Sequence, residues 1–152
     1  MARVLGIDLG SRRIGVAVSD GLGLTAQARA TIARHGGTRD IDAIAAAVKD
    51  ADADRIVLGL PLDCEGQEGP AAQRARIFGD KLRDALHLPV ELIDESFSTV
   101  EAEAVLLAAD VSRARRKQVV DKMAAAVILQ RWLDAHRGKT EETSAKPTEE
   151  TP

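Results

Sequence analysis

A single cysteine, Cys64, stands in 152 residues, so no disulfide can close within the chain. Zinc centres of four cysteines, or of two cysteines and two histidines, are excluded with it. The three histidines, His35, His87 and His136, are scattered in no ligand spacing. A secreted fold held by disulfides is therefore not expected. Aromatic residues are also scarce: one Trp, two Phe and no Tyr. The core must be aliphatic, and recognition of single strands by base stacking is not supported. No apolar stretch approaches the ~20 residues of a membrane helix. The opening MARVLGIDLG lacks a charged segment, a long apolar run and a cleavage site. These absences point to a cytoplasmic protein that does not engage membranes. Charge of one sign is lacking too. The net charge of −3 argues on average against nucleic acid. Residues 138–152 carry −2 of it, because Lys139 and Lys146 stand against Glu141, Glu142, Glu149 and Glu150. The body is left near −1 (−3 minus −2), so local patches decide.

Hydrophobic residues make up 45% and charged residues 30%, a globular balance at a length that suits one domain. Arg3–Leu9 is a mostly apolar run fit for a central strand. A turn at 10–13 leads to an alternating partner, Ile14–Ser19, and a third strand is expected within Leu24–Ala33. After His35-Gly36-Gly37 the period turns helical, with Ile41, Ile44, Ala45 and Val48 on one face. Arg55–Leu60 reads as a buried strand ended by Pro61, followed by a polar loop over Asp63–Gly69. Pro70 suits the first turn of a helix whose stripe is Ala71, Ala75, Phe78, Leu82 and Leu86. Pro89–Asp94 is a further short strand. Ser98-Thr99-Val100-Glu101 has the capping-box pattern and predicts a helix to about Ala109. Val111–Lys117 reads as a polar, basic loop, and Gln118–His136 as the last long helix. The order β-β-β-α-β-α-β-α-α predicts an α/β domain over 1–137. Its sheet is five-stranded and mixed, the first three strands a meander, with helices packed against it. Residues 138–152 lack any aliphatic side chain larger than Ala apart from proline and are expected to be a disordered acidic tail.

Three carboxylates hold the chemical interest. Asp8 interrupts VLGIDLG, where an isolated ion would cost several kcal/mol and needs a cation, hydrogen bonds or a proton. At a strand end it could equally serve the turn by accepting from the amides of Gly10 and Ser11. Glu95 follows the strand PVELID and precedes the cap at Ser98, with Asp94 as a competitor beside it. Asp121 falls in the first turn of the last helix, where the helix dipole alone would favour an acid. All three sit at element ends, where a mixed sheet gathers ligands. Two anions ~4 Å apart repel by about 4 kcal/mol at an effective dielectric near 20, so a trio is tolerated mainly around a divalent cation. Oxygen-only ligation selects Mg²⁺ or Mn²⁺. A pair of such ions ~3.5–4 Å apart serves phosphodiester hydrolysis.

GIDLGSRRIGVAVSD, IVLGLPLDCEG, LIDESFSTVEA and VDKMAAAVILQ occur in that order. Together they resemble the YqgF/RuvX family of pre-16S rRNA nucleases and Holliday-junction-resolvase-like proteins, over about Val4 to Trp132. The resemblance implies a ribonuclease H-like fold. It maps the first-strand acid onto Asp8, the DE-motif glutamate onto Glu95 and the last-helix acid onto Asp121. All three would be both catalytic residues and metal ligands. It further implies a nuclease maturing the 5′ end of pre-16S rRNA during ribosome biogenesis. Branched DNA is the alternative substrate, and a monomer or a homodimer the expected assembly. Ser96 stands where the family often has Arg, and Asp63 where it often has Asn, and both changes weaken phosphate binding locally. Compensating cations are Arg12 and Arg13 after Asp8, and Arg113, Arg115, Arg116 and Lys117 before Asp121. Phosphate contacts of this kind give salt-dependent, sequence-independent affinity. Lys122 could also reach the site, or extend to solvent instead. Cys64 has no His suitably near to make it a nucleophile. Two other classes compete. A sugar-kinase-like phosphotransferase shares the GIDLG-type start, but the chain is short for a two-domain ATP cleft. A binding-only module would hold nucleic acid without cleaving it.

Overall fold

The computed structural model describes residues 3–62, 65–94 and 122–136. The elements are β1 (Arg3–Leu9), β2 (Arg13–Ser19), β3 (Ala26–Ala33), α1 (Gly37–Ala51), β4 (Ala53–Leu60), α2 (Pro70–Leu86) and β5 (Val90–Asp94). A last helix runs through 122–136. The capped helix expected from Ser98, the basic loop and the tail lie outside the described residues.

The strands form one sheet in the order β3-β2-β1-β4-β5. β1 pairs antiparallel with β2, and β2 with β3, which is the expected meander. β4 adds parallel to β1, and β5 parallel to β4, each after a crossover through a helix. Both helices of these crossovers fall on one face. There Leu5, Ile7, Ile14, Val16, Ile56, Leu58 and Val90 meet Ile41 and Ile44 of α1 and Ala75, Phe78 and Leu82 of α2. Full burial of each large aliphatic side chain contributes about 2 kcal/mol.

The opposite face holds Ala17 and Val57, covered by Ala125, Ile128, Leu129, Trp132 and Leu133 of the last helix. β2 is consequently buried from Ile14 to Ser19, not half-buried as its alternation suggested. The stripe of α2 also differs from expectation: Ala71 is exposed, and Ala72 and Gly79 take the inward positions. Ala72 falls three residues before Ala75, on the same side of the helix.

Gly6 explains how closely the last helix sits. A Cβ there would lie 2.7 Å from the Leu129 Cβ and 3.1 Å from the Ala125 carbonyl oxygen. Polar side chains tie down both flanks. Gln130 accepts from the Ala26 amide (2.8 Å) and donates to the Leu24 carbonyl (3.0 Å). Trp132 Nε1 donates to Glu91 (2.8 Å), which also binds Arg55 (3.0 Å). Along β5 the contacts run in reverse: Glu91 meets Trp132 and His136, while Asp94 meets Arg131. The helix therefore runs counter to β1, β4 and β5, with residue 122 toward their C-terminal edge.

Candidate active site

Asp8 is the last but one residue of β1, at that C-terminal edge, and is 8% exposed. Its face follows from the pleat. Leu5 and Ile7 enter the core under α1 and α2. Gly6 touches the last helix and Val4 packs beside it. Side chains alternate along a strand, so Asp8 shares the last-helix face with Val4 and Gly6. Its antiparallel partner is Gly15. The next step of the β1–β4 register brings it level with Gly59, which pairs with Ile93. On both sides, then, Asp8 has a buried glycine for a neighbour. The next side chains in that row are Thr31, across β2, and Ile93, across β4.

The turn after Asp8 is organised without help from its carboxylate in one respect. The Gly10 amide donates to the Arg13 carbonyl oxygen (2.9 Å), closing the turn on itself. Arg34 braces it from the other side: its amide donates to the Arg12 carbonyl (2.9 Å) and its Nη1 to the Gly10 carbonyl (2.9 Å). Asp40, 1% exposed, holds Arg34 through Nε (3.4 Å) and accepts from the amides of His35 (2.9 Å) and Gly36 (3.1 Å). Burial pushes the Asp40 carboxyl up, but these amide and guanidinium donors outweigh it and hold it below the usual carboxylate range. Arg12 is exposed on this turn and Arg13 half-buried at the start of β2, so both predicted phosphate contacts adjoin Asp8.

Asp94 ends β5 level with Leu60. Ile93 packs with the last helix and Leu92 under α2, so alternation turns Asp94 to the α1–α2 face, away from Asp8. It is exposed, and its carbonyl oxygen accepts from Arg131 Nη1 (3.4 Å). Asp94 is thereby removed as a competitor on Asp8's face. Glu95 is the next residue in the chain, and Asp121 immediately precedes the described part of the last helix; both lie outside the described residues. So do Arg113, Arg115, Arg116 and Lys117, as well as Asp63 and Cys64. Among the described residues no three metal-ligating side chains cluster. The donor chemistry of Asp8, a buried carboxylate at an open-rowed strand end, fits oxygen ligation of a hard cation.

Beyond β4 the loop residue Glu68 bridges to Leu62 through the backbone and grips Arg76 of α2 with both carboxylate oxygens (2.6 Å each). That hydrogen-bonded pair lowers the Glu68 carboxyl below its ordinary range. Reading the sequence missed Gly6, Gly15 and Gly59 and the Arg34–Asp40 brace. Glycine inside a buried strand pattern is the available signal, since it marks close backbone approach.

Among solved structures, the chain is similar to T. thermophilus RuvC in complex with a Holliday junction substrate. The TM-score is 0.51 at 17% identity, covering 91% of this chain and 97% of that one. It is also similar to the Fowlpox virus resolvase in complex with Holliday junction DNA. There the TM-score is 0.55 at 9% identity, covering 88% and 97%. These likenesses, with the sheet order, show the ribonuclease H-like fold that the motifs implied. In sequence, the chain is 53% identical over 135 residues to a Myxococcus xanthus (strain DK1622) protein named "Putative pre-16S rRNA nuclease", covering 89% of each. A Pelotomaculum thermopropionicum protein of the same name is 48% identical over 145 residues, covering 95% of this chain and 94% of the relative. The family described as RuvX, Holliday junction resolvase, matches residues 2–135, and with relatives of this similarity along nearly the whole body the chain belongs to the RuvX family.

Proposed function

We propose that the chain is a metal-dependent nuclease that hydrolyses phosphodiester bonds in structured RNA. Its substrate on this reading is the 5′ region of precursor 16S rRNA, processed in the cytoplasm during ribosome biogenesis. The observation that carries the reading is the placement of Asp8: a buried carboxylate on the last-helix face, at the strand edge toward which residue 122 points. Two further acids complete the set in this proposal. Glu95 follows Asp94, the last residue of β5, in the chain. Asp121 comes one residue before the described helix. The names of the relatives agree with the chemistry.

Bound Mg²⁺ or Mn²⁺ ions, two in the proposed site, would supply charge neutralisation and water activation at the scissile phosphate. The protein residues do the rest. Asp8, Glu95 and Asp121 hold the cations. Gly15 and Gly59 keep Asp8's row clear. Arg12 and Arg13, with Arg113, Arg115, Arg116 and Lys117, contact phosphates and fix the strand's path without reading sequence.

The test is incubation of the purified chain with a pre-16S RNA transcript and with a four-way DNA junction, in Mn²⁺ or in EDTA. Cleavage of the transcript in Mn²⁺ alone, lost in Asp8→Asn, is the expected outcome. Junction cleavage by a stable dimer would favour the branched-DNA reading, since symmetric resolution needs paired sites. Binding of the transcript with no cleavage in either ion condition would overturn the enzyme reading.

A further inference from the structure

We propose that Lys122 is a further catalytic residue of this site, placing its ammonium on the non-bridging oxygens of the scissile phosphate. The inference rests on the nuclease reading above and adds a residue that reading does not use. Lys122 is half-buried although it lies at the beginning of the described helix. Its direction follows from helical spacing. Ala126, Leu129 and Leu133 stand four, seven and eleven residues on, and all three pack into the cluster between helix and sheet. Lys122 continues that stripe, so its stem descends toward the sheet and not toward open solvent.

The strand it faces is also fixed. Gln130, next to the same stripe, bonds the backbone of Leu24 and Ala26 at the start of β3. Trp132, about as far round the helix on the other side of the stripe, bonds Glu91 of β5, so Lys122 lies midway between the two flanks and faces β1, the strand of Asp8. Its level follows from Gly6. The Ala125 carbonyl stands over Gly6, and three helical residues back from it advance about 4.5 Å toward the C-terminal edge. Two strand residues from Gly6 to Asp8 advance about 6.6 Å the same way. Helical side chains lean toward their N-terminus, which carries the Lys122 stem over the remaining distance. The absent side chain of Gly15 leaves room for it.

Among the described residues Lys122 has no ion pair or hydrogen bond. By contrast, Arg29, Arg34, Arg55, Arg76 and Arg83 each hold a carboxylate. A half-buried ammonium beside a proposed anionic substrate fits the charge that develops on the phosphoryl oxygens during displacement. Lys122 keeps its proton throughout, and no bond to it forms or breaks.

The experiment compares Lys122→Met, Lys122→Gln and Lys122→Arg with Asp8→Asn in the full chain. Cleavage of the pre-16S transcript is followed in Mn²⁺, and Mn²⁺ binding is measured by calorimetry without RNA. In Lys122→Met and Lys122→Gln, kcat should fall about 100-fold, as for loss of one donor to developing charge. Lys122→Arg should recover most of it. Mn²⁺ binding should be unchanged or tighter in all three, because a neighbouring positive charge is removed or kept and no ligand is touched. Undiminished cleavage in Lys122→Met would overturn the proposal. So would a parallel loss of Mn²⁺ affinity and melting temperature, which marks a structural residue. If Asp8→Asn alone retains both Mn²⁺ binding and cleavage, the nuclease reading itself falls, and this inference with it.

Discussion

Replacing Gly6 by alanine should separate the position of the last helix from the chemistry of any charged group. The added Cβ would stand 2.7 Å from the Leu129 Cβ and 3.1 Å from the Ala125 carbonyl. Carbon atoms relax at about 3.5–4.0 Å, so one partner must retreat by about 1 Å. Neither can do so alone, because the first is a Cβ and the second is backbone. The helix must lift as a body. Overpacking of this kind costs about 2 kcal/mol, which lowers the melting temperature of a domain this size by about 6 °C. The larger effect falls on turnover. If the helix carries a metal ligand at Asp121, a displacement near 1 Å costs about 100-fold in rate. The control is Leu129→Ala, which leaves the helix backbone free to stay and creates a cavity instead. It should cost about 3 kcal/mol in stability, yet reduce cleavage less than Gly6→Ala does. Thermal melts and single-turnover cleavage in saturating Mn²⁺ read both quantities. A Gly6→Ala protein that melts and cleaves like the parent would refute the tight-docking argument. A Leu129→Ala protein with the lower rate of the two would show that volume, not helix position, sets activity.

Other perturbations have defined outcomes. Asp40→Ala strands the Arg34 guanidinium and the amides of His35 and Gly36, and should cost about 3 kcal/mol in a denaturant titration. Because the folded Asp40 carboxyl lies below its unfolded value near 3.9, its contribution is complete above that pH and is lost as pH falls through the lower, folded value. The Asp40→Asn protein should therefore lose less stability than the parent on acidification through that window. An open groove of about 300 Å³ lies between the sheet and α1, lined by Leu5, Val16, Ala30, Ala46, Ala47 and Ala51 beside the Arg29–Asp50 pair. Ala30→Val on β3 should fill part of it and raise stability by about 1 kcal/mol, read as a higher melting temperature. Trp132 is the sole tryptophan and is 9% exposed, with Glu91 on its Nε1. Glu91→Ala should shift its emission to the red, and an unshifted spectrum would show that Glu91 does not hold the ring in place.

The strands of the meander were legible because their apolar runs are long and their turns are marked. β4 and β5 were legible for the same reason, within two residues at their starts. Asp8 could be singled out because a carboxylate inside an apolar strand needs a physical excuse. Which way it faces was not legible. The alternation of β1 is masked by burial on both sides, and only contact of Gly6 with the helix assigns the faces. The same geometry turns Asp94 to the α1–α2 face, a direction its sequence neighbours did not reveal. Ala71 was taken for Ala72 because alanine repeats blur the phase of a helix. The Arg34–Asp40 brace was invisible because its partners are backbone groups of a distant turn, which carry no sequence signature.

The last helix, packed on the second face of the sheet, has a consequence for the order in which the molecule comes together. Among the described residues five strands and two helices precede it in the chain, and together they form one core on the other face. The side of the sheet that bears Ala17 and Val57 is the one on which the last helix packs. A nascent chain halted before residue 122 would lack Ala125, Ile128, Leu129, Trp132 and Leu133, the residues that pack on Ala17 and Val57. The closing segment thus shields the apolar surface of the sheet. One docking event would bury that surface and remove a liability for aggregation.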